Sequence, residues 1–297
     1  TPQRLGNPLD FEIKHLPAGL HFVATPIGNS RDITLRALDT LASADILAAE
    51  DTRTLRRLMD MHGVPLGTRK MISYHDQNGA KVRPRLLSLM AEGKSVAYAS
   101  EAGTPLVADP GFVLSREALA AGLFVTSAPG PSAMIAALTI AGLPSDRFLF
   151  AGFPPSSAGA RKTFFTEFGT VQATLGFYES PNRIYKTLTE LCEVYGETRK
   201  VAICREITKK FEEVISGTLG ELCESLKDRA FKGEIVLLVA RAEAVDASPE
   251  DLDAALDAAL ATMTVKDAAA TVAKALGMQK RQVYQQALER SKALKSQ

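Results

Sequence analysis

Glu50, Asp51 and Arg53, in the run Ala49-Glu50-Asp51-Thr52-Arg53, set two adjacent carboxylates beside a guanidinium. A carboxylate near a cation stays ionised and can accept a proton, while a guanidinium reads phosphate through two hydrogen bonds. The same residues suit a helix start, with Asp51 or Thr52 as the cap and the acids favoured by the dipole. His75-Asp76-Gln77-Asn78 offers an imidazole held by an acid, or else a surface turn. Three further runs are rich in small residues: Thr25-Pro26-Ile27-Gly28-Asn29, Ser100-Glu101-Ala102-Gly103-Thr104-Pro105 and Ala128-Pro129-Gly130-Pro131-Ser132-Ala133. Such runs let a bulky heterocyclic ligand lie against exposed backbone, and Glu101 could accept from its hydroxyl or amine. None is the G-x-G-x-x-G fingerprint, which disfavours a nicotinamide cofactor. Phe177-Tyr178-Glu179-Ser180-Pro181 and the cations Arg205, Lys209 and Lys210 complete the set; the cations could hold phosphates or sit in surface ion pairs.

These runs share one placement, directly after a short apolar segment. Strands are predicted at Leu20–Ala24, Asp45–Ala49, Met71–Tyr74, Val96–Ala99 and Phe124–Ser127, alternating with helices at Thr34–Ser43, Thr54–His62, Lys81–Glu92 and Gly111–Ala121. That alternation is the pattern of an α/β domain with a mostly parallel sheet, whose ligands bind beyond the strands' carboxyl ends. A second, mixed-sheet unit is predicted from residue 143, with strands at Phe148–Phe150, Thr174–Tyr178, Val201–Arg205, Phe211–Gly217 and Glu234–Ala240. Helices Asn182–Tyr195 and Leu219–Arg229 lie between them, and Pro154–Gly159 reads as a mobile loop. The domains expected are thus 19–142, 143–242 with the ligand cleft between these two, and 243–297. The last is a helical tail with helices Val265–Leu276 and Lys280–Arg290 about a Gly277 turn, the dimensions of a helix-turn-helix.

The length of 297 residues suits two domains and a small third, and 46% hydrophobic with 23% charged residues suits a compact globular chain. The net charge of +1 advertises no polyanion partner, yet from Thr264 onward seven Lys/Arg face two acids. That tail is either a basic binding element or a solvated helical cap. Cys192, Cys204 and Cys223 form no C-x-x-C pair and have no His at ligand spacing, so neither a disulfide framework nor a metal site is expected, and a reducing cytoplasm fits. The longest apolar stretch, Pro131–Pro144, is too short to span a membrane, and Thr1–Pro17 lacks the apolar block of a secretory leader.

In their order, TPIGN, AEDTR, SEAGTP, APGPSA, FYESP and the run around REITKK resemble the tetrapyrrole methylase superfamily, and within it the ribosomal RNA branch. The resemblance covers Leu20 to Ala240, and the basic tail is similar to that branch's helix-turn-helix extension. It implies a two-domain α/β tetrapyrrole-methylase-like fold and a homodimeric enzyme dependent on S-adenosylmethionine. It further implies methylation of the ribose 2′-hydroxyl of a cytidine in small-subunit ribosomal RNA, as naked RNA or in the assembled subunit. Cofactor contacts would fall on Pro26, on Ser100, Glu101, Ala102 and Gly103, on Ser132 and Ala133, on Tyr178 and near Gly233, with no metal. Three departures matter: Glu101 stands where Asp is usual, Gln77 where a second His is frequent, and Asn182 where a His is common. Carboxylates then become the better bases, in the order Asp51, Glu50, Glu179, with Arg53 and Arg205 positioning phosphates. A porphyrinoid substrate would share fold and cofactor, but AEDTR, REITKK and the basic tail point away from it. A regulator using only the helix-turn-helix would leave the glycine-rich strand ends unexplained.

Overall fold

A computed structural model describes residues 12–107, 111–242, 249–276, 278 and 280–295. Two compact units divide the chain, Thr1–Arg241 and Ala242–Gln297.

The first sheet runs in the order β3-β2-β4-β1-β5, from β1 (Gly19–Val23), β2 (Ile46–Ala49), β3 (Lys70–Ser73), β4 (Ser95–Ala99) and β5 (Phe124–Ala128). Every pairing is parallel. Helices α1 (Leu35–Ser43), α2 (Thr52–Met61), α3 (Asp76–Ala91) and α4 (Phe112–Ala120) connect these strands. The three inner strands are buried along their whole length and read as near-continuous apolar runs, interrupted by His21 in β1 and Ser95 at the start of β4. Polar pins fix the register of β2 against β4. Asp45 accepts from the Ser95 N–H (2.9 Å) and hydroxyl (2.8 Å), and the Ser95 N–H chiefly holds its carboxyl below the usual range.

The second sheet, β6-β7-β10-β8-β9, is mixed. It comprises β6 (Phe148–Phe150), β7 (Thr174–Glu179), β8 (Lys200–Arg205), β9 (Glu213–Thr218) and β10 (Ile235–Val239), and only the β6–β7 pair is parallel. Between the sheets in sequence lies α5 (Ala133–Ile140), followed in this half by α6 (Ala158–Phe168), α7 (Ile184–Tyr195) and α8 (Leu219–Ser225). Met134, Ala137 and Leu138 of α5 cluster with Ala202, Cys204, Val236 and Leu238 of the second sheet. One hydrophobic cluster therefore spans the expected division at residue 143, because the last helix of the first half packs on the second sheet.

Two local expectations are corrected. Helix α3 starts at Asp76 rather than Lys81, because His75 and Asn78 form a reciprocal cap in which the Asn78 side chain accepts from the His75 N–H (2.9 Å). The supposed mobile loop before Gly159 is clamped. Arg161, 2% exposed, donates to the carbonyls of Pro155 (2.9 Å) and Ser156 (2.8 Å) and is paired with Glu190, while Arg183 donates to Pro154 O (2.6 Å).

In the second unit, α9 (Pro249–Leu260), α10 (Val265–Ala275) and α11 (Lys280–Lys295) pack around Leu252, Leu256, Ala269, Val272, Val283 and Ala287. Gly277 lies outside the described residues. Arg290 is drawn out of the basic tally, since its guanidinium forks onto Asp257 (2.6 and 2.9 Å) and reaches Asp253 (2.9 Å).

Replacing Arg161 with Met should lower the unfolding free energy by about 3–5 kcal/mol, because Glu190 would remain largely buried without its cation. Urea titration followed by circular dichroism measures this; a loss below about 1 kcal/mol would contradict the clamp.

Candidate active site

The turns after β1, β4 and β5 are stitched together by their own polar groups. Thr25 N–H donates to Gly103 O (2.9 Å) and Gly103 N–H to Thr25 O (3.0 Å). The Thr25 hydroxyl donates to Ser100 O (3.2 Å), that of Ser100 to Gly103 O (2.6 Å), and that of Thr104 to Pro131 O (2.8 Å). Gly103 takes φ +85°, and a Cβ there would lie 3.3 Å from Ile27. Only glycine adopts that conformation without strain.

From the second sheet, the turn after β8 closes on the turn after β1. A Cβ on Gly28 would lie 2.6 Å from the Lys209 side chain and 3.1 Å from Ile207 O, and Asn29 N–H donates to the Thr208 hydroxyl (3.0 Å). Glu206 and Thr208 hold the left-handed φ values +51° and +67°, a strain that persists only where the surroundings over-determine it. The Lys209 ammonium does so here, bridging Glu206 (2.8 Å) and Glu234 (2.7 Å). Hydrogen bonding from Lys209 holds the Glu206 carboxyl below its usual range. Burial pulls the Lys209 amine down, but hydrogen bonds to Glu206 and Glu234 outweigh it and leave it raised.

Together these turns enclose a cavity of about 360 Å³, in the size range of small-molecule sites. Of the residues expected to touch a ligand, Ala102, Gly103, Ser132, Ala133, Tyr178 and Gly233 form its wall. Pro26, Ser100 and Glu101 do not; Ser100 is buried behind the wall as a brace, and Glu101 is exposed. Sequence reasoning missed the apolar wall residues Phe153, Cys204, Ile207 and Val236. Burial pushes the Cys204 thiol up to about 11, which makes it unreactive.

The catalytic candidates are placed less uniformly. Asp51 caps α2, accepting from the N–H groups of Arg53 (2.7 Å) and Thr54 (3.3 Å), and pairs with the Arg53 guanidinium (3.0 Å). The Arg53 side chain above all holds its carboxyl low, so Asp51 is a weak proton acceptor. Glu179 borders the cavity, but its carboxylate is buried and occupied by the Ser180 N–H (2.7 Å), the Thr187 hydroxyl (2.6 Å) and Arg183. It braces the start of α7, its carboxylate committed to these partners within the protein. Arg205 donates to Glu213 (3.2 Å) and Lys232 O (3.0 Å), tying β8 to its neighbours. Glu50 keeps the freest carboxylate, with one long contact from the Glu101 N–H (3.3 Å) beside the cavity wall.

A sheet-end cavity built from small residues, on a parallel sheet coupled to a mixed one, defines the class. The family model for Tetrapyrrole (Corrin/Porphyrin) Methylases matches residues 19–223, and the chain belongs to that family. The solved structures of the methyltransferase CobJ (TM-score 0.58, 19% identity, 76% of this chain and 95% of that one) and of diphthine synthase (TM-score 0.58, 16% identity, 74% and 89%) share the fold. Several relatives are named Ribosomal RNA small subunit methyltransferase I. The protein of Mesorhizobium japonicum is 48% identical over 92% of both chains, and that of Pseudomonas aeruginosa 41% identical over 91% of this chain and 97% of its own. Residues 246–291 match the model described as the RsmI C-terminal HTH domain.

The Lys209 clamp predicts a pH dependence. A carboxyl held low contributes stability that is complete above its ordinary value and is lost as pH falls through its folded value. Lys209→Met should therefore lose less stability than the wild type between about pH 5 and pH 3, as measured by urea titration at each pH. Parallel acid-side slopes would contradict the clamp.

Proposed function

We propose that this chain transfers a methyl group from S-adenosylmethionine to the ribose 2′-hydroxyl of a cytidine in small-subunit ribosomal RNA. The observation that carries the reading is the cavity wall itself, taken with relatives of that name matching nearly the whole chain. The wall suits a sulfonium nucleoside. Among the described residues its lining holds no Lys or Arg and two acids, Glu179 and Glu234, and Phe153 and Tyr178 stand edge to face with centroids 5.6 Å apart as an aromatic surface for a heterocycle. Burial raises the Tyr178 phenol, which keeps it neutral.

When bound, the cofactor supplies an electrophilic methyl group. Ala102, Gly103, Ser132 and Ala133 would bring backbone close to it, and Gly233 would close the opposite wall. Orientation and exclusion of water do most of the work in such a displacement. The acceptor hydroxyl must lose a proton, and Glu50 is the carboxylate with capacity to take it. Arg53, whose side chain is 90% exposed, would hold a substrate phosphate. The tail's Lys266, Lys280 and Arg281 are exposed and would add salt-sensitive affinity. The chain would work as a homodimer in the cytoplasm; support for the dimer is the exposed apolar Ile135 and Ile140 of α5 and Phe148 of β6. Among the described residues, no helix is long and apolar enough to cross a membrane.

Labelled S-adenosylmethionine offered with small ribosomal subunits, naked ribosomal RNA and uroporphyrinogen tests the reading. Label recovered as 2′-O-methylcytidine is expected; transfer to the tetrapyrrole alone would overturn it. In that assay Glu50→Gln should lower turnover about 10²-fold with cofactor affinity intact, and turnover within a fewfold of wild type would remove Glu50 as the base.

A further inference from the structure

Helix α2 carries Arg53, Arg56 and Arg57 within its first six residues and no acid in its first turn. That end of a helix favours anions. Like charges three and four residues apart, as Arg53 with Arg56 and Arg57, also repel across one helix face. The inner face explains none of this, since Leu55, Leu58 and Met59 alone are buried. Nor do ion pairs absorb the charge. Arg53 pairs with Asp51 and Arg56 with Asp60 (3.0 Å) in solvent-screened surface contacts of little net strength, and Arg57 has no partner among the described residues. In a chain of net charge +1, the cations are concentrated here at a local cost. A rule broken without structural gain marks a functional surface.

The arginines line a groove of about 800 Å³ whose apolar lining is Met61, Leu66 and Met71. The groove lies along α2, whose first turn starts beside the site. Its cap, Asp51, adjoins Glu50, whose carboxylate takes the N–H of Glu101, next to Ala102 in the cavity wall. We propose that this face of α2 is the track for the phosphodiester backbone of the single-stranded RNA flanking the target nucleotide. Guanidinium forks match phosphates bidentately and exchange readily out of exposed carboxylate pairs, while the thioether-lined groove accepts sugar and base faces. The proposal rests on the RNA-methylating reading and adds to it where the strand lies.

The test uses the full chain carrying Arg56→Gln and Arg57→Gln together, with a single-stranded oligoribonucleotide and intact small subunits as probes. Loss of two phosphate contacts should reduce the slope of log affinity against log salt by about 1.4 and weaken oligonucleotide binding about tenfold near 0.1 M salt. KM for subunits should rise while cofactor affinity stays unchanged. The double Lys variant, which keeps the charge, should restore the salt slope, and thermal unfolding at the wild-type temperature or above shows that the Gln variant folds. An unchanged salt slope overturns the proposal. So does weakened binding to subunits with unchanged binding to the oligonucleotide, which would assign the face to a ribosomal protein. Methyl transfer by the wild type tests the parent reading separately, since the salt slope is read without turnover.

Discussion

Two backbone hydrogen bonds, Thr25 N–H to Gly103 O and Gly103 N–H to Thr25 O, form an isolated antiparallel bridge just beyond the ends of the parallel pair β1 and β4. Parallel strands normally release their chains in divergent directions at the carboxyl edge; here the two turns are locked face to face. The lock requires a residue at position 103 with φ near +85° and no Cβ against Ile27. Ser100 and Thr104 then spend their hydroxyls on the carbonyls of Gly103 and Pro131, so that the third turn joins the other two. What this side of the wall can do for a ligand depends on the backbone arrangement, because Ala102, Gly103, Ser132 and Ala133 are too small to position anything by their side chains.

The opposite side is held by charge instead of backbone. Lys209 gathers Glu206 and Glu234 into one cluster, and this fixes Glu206 in a conformation it would otherwise avoid. Unpaired charge is unevenly placed as well. The carboxylates beside the cavity, Glu179 and Glu234, are matched by Arg183 and Lys209, whereas Arg57 on the outer face of α2 has no partner among the described residues. In a chain whose charges nearly cancel, such local placement carries more information than the total.

Legibility in the sequence followed burial. The inner strands of the first sheet were readable because both their faces are covered, so Ile46 to Ala49 and Val96 to Ala99 show unbroken apolar character. Helix α6 was not, since Pro154, Pro155 and Gly159 signal a loop and the residue that anchors it, Arg161, belongs to a type that is rarely buried. The glycine-rich turns were legible as a set, and six of the nine residues expected at the ligand do line the cavity. Phe153, Ile207 and Val236 were not legible, because an apolar residue facing a cavity looks in sequence like one facing the core. The roles of Asp51 and Glu179 were equally hidden. A carboxylate's chemistry is decided by who occupies its lone pairs, and the Arg53 and Thr54 N–H groups, Thr187 and Arg183 do so here.

Isothermal calorimetry with S-adenosylmethionine and its demethylated product, on wild type and Gly103→Ala, bears most directly on the convergence of the strand-end turns. Saturable uptake of both nucleosides by the wild type is expected, at least about tenfold weaker in the variant, as a clash of this kind costs ~1–3 kcal/mol. No uptake by the folded wild type, or equal affinity in the variant, would contradict the account.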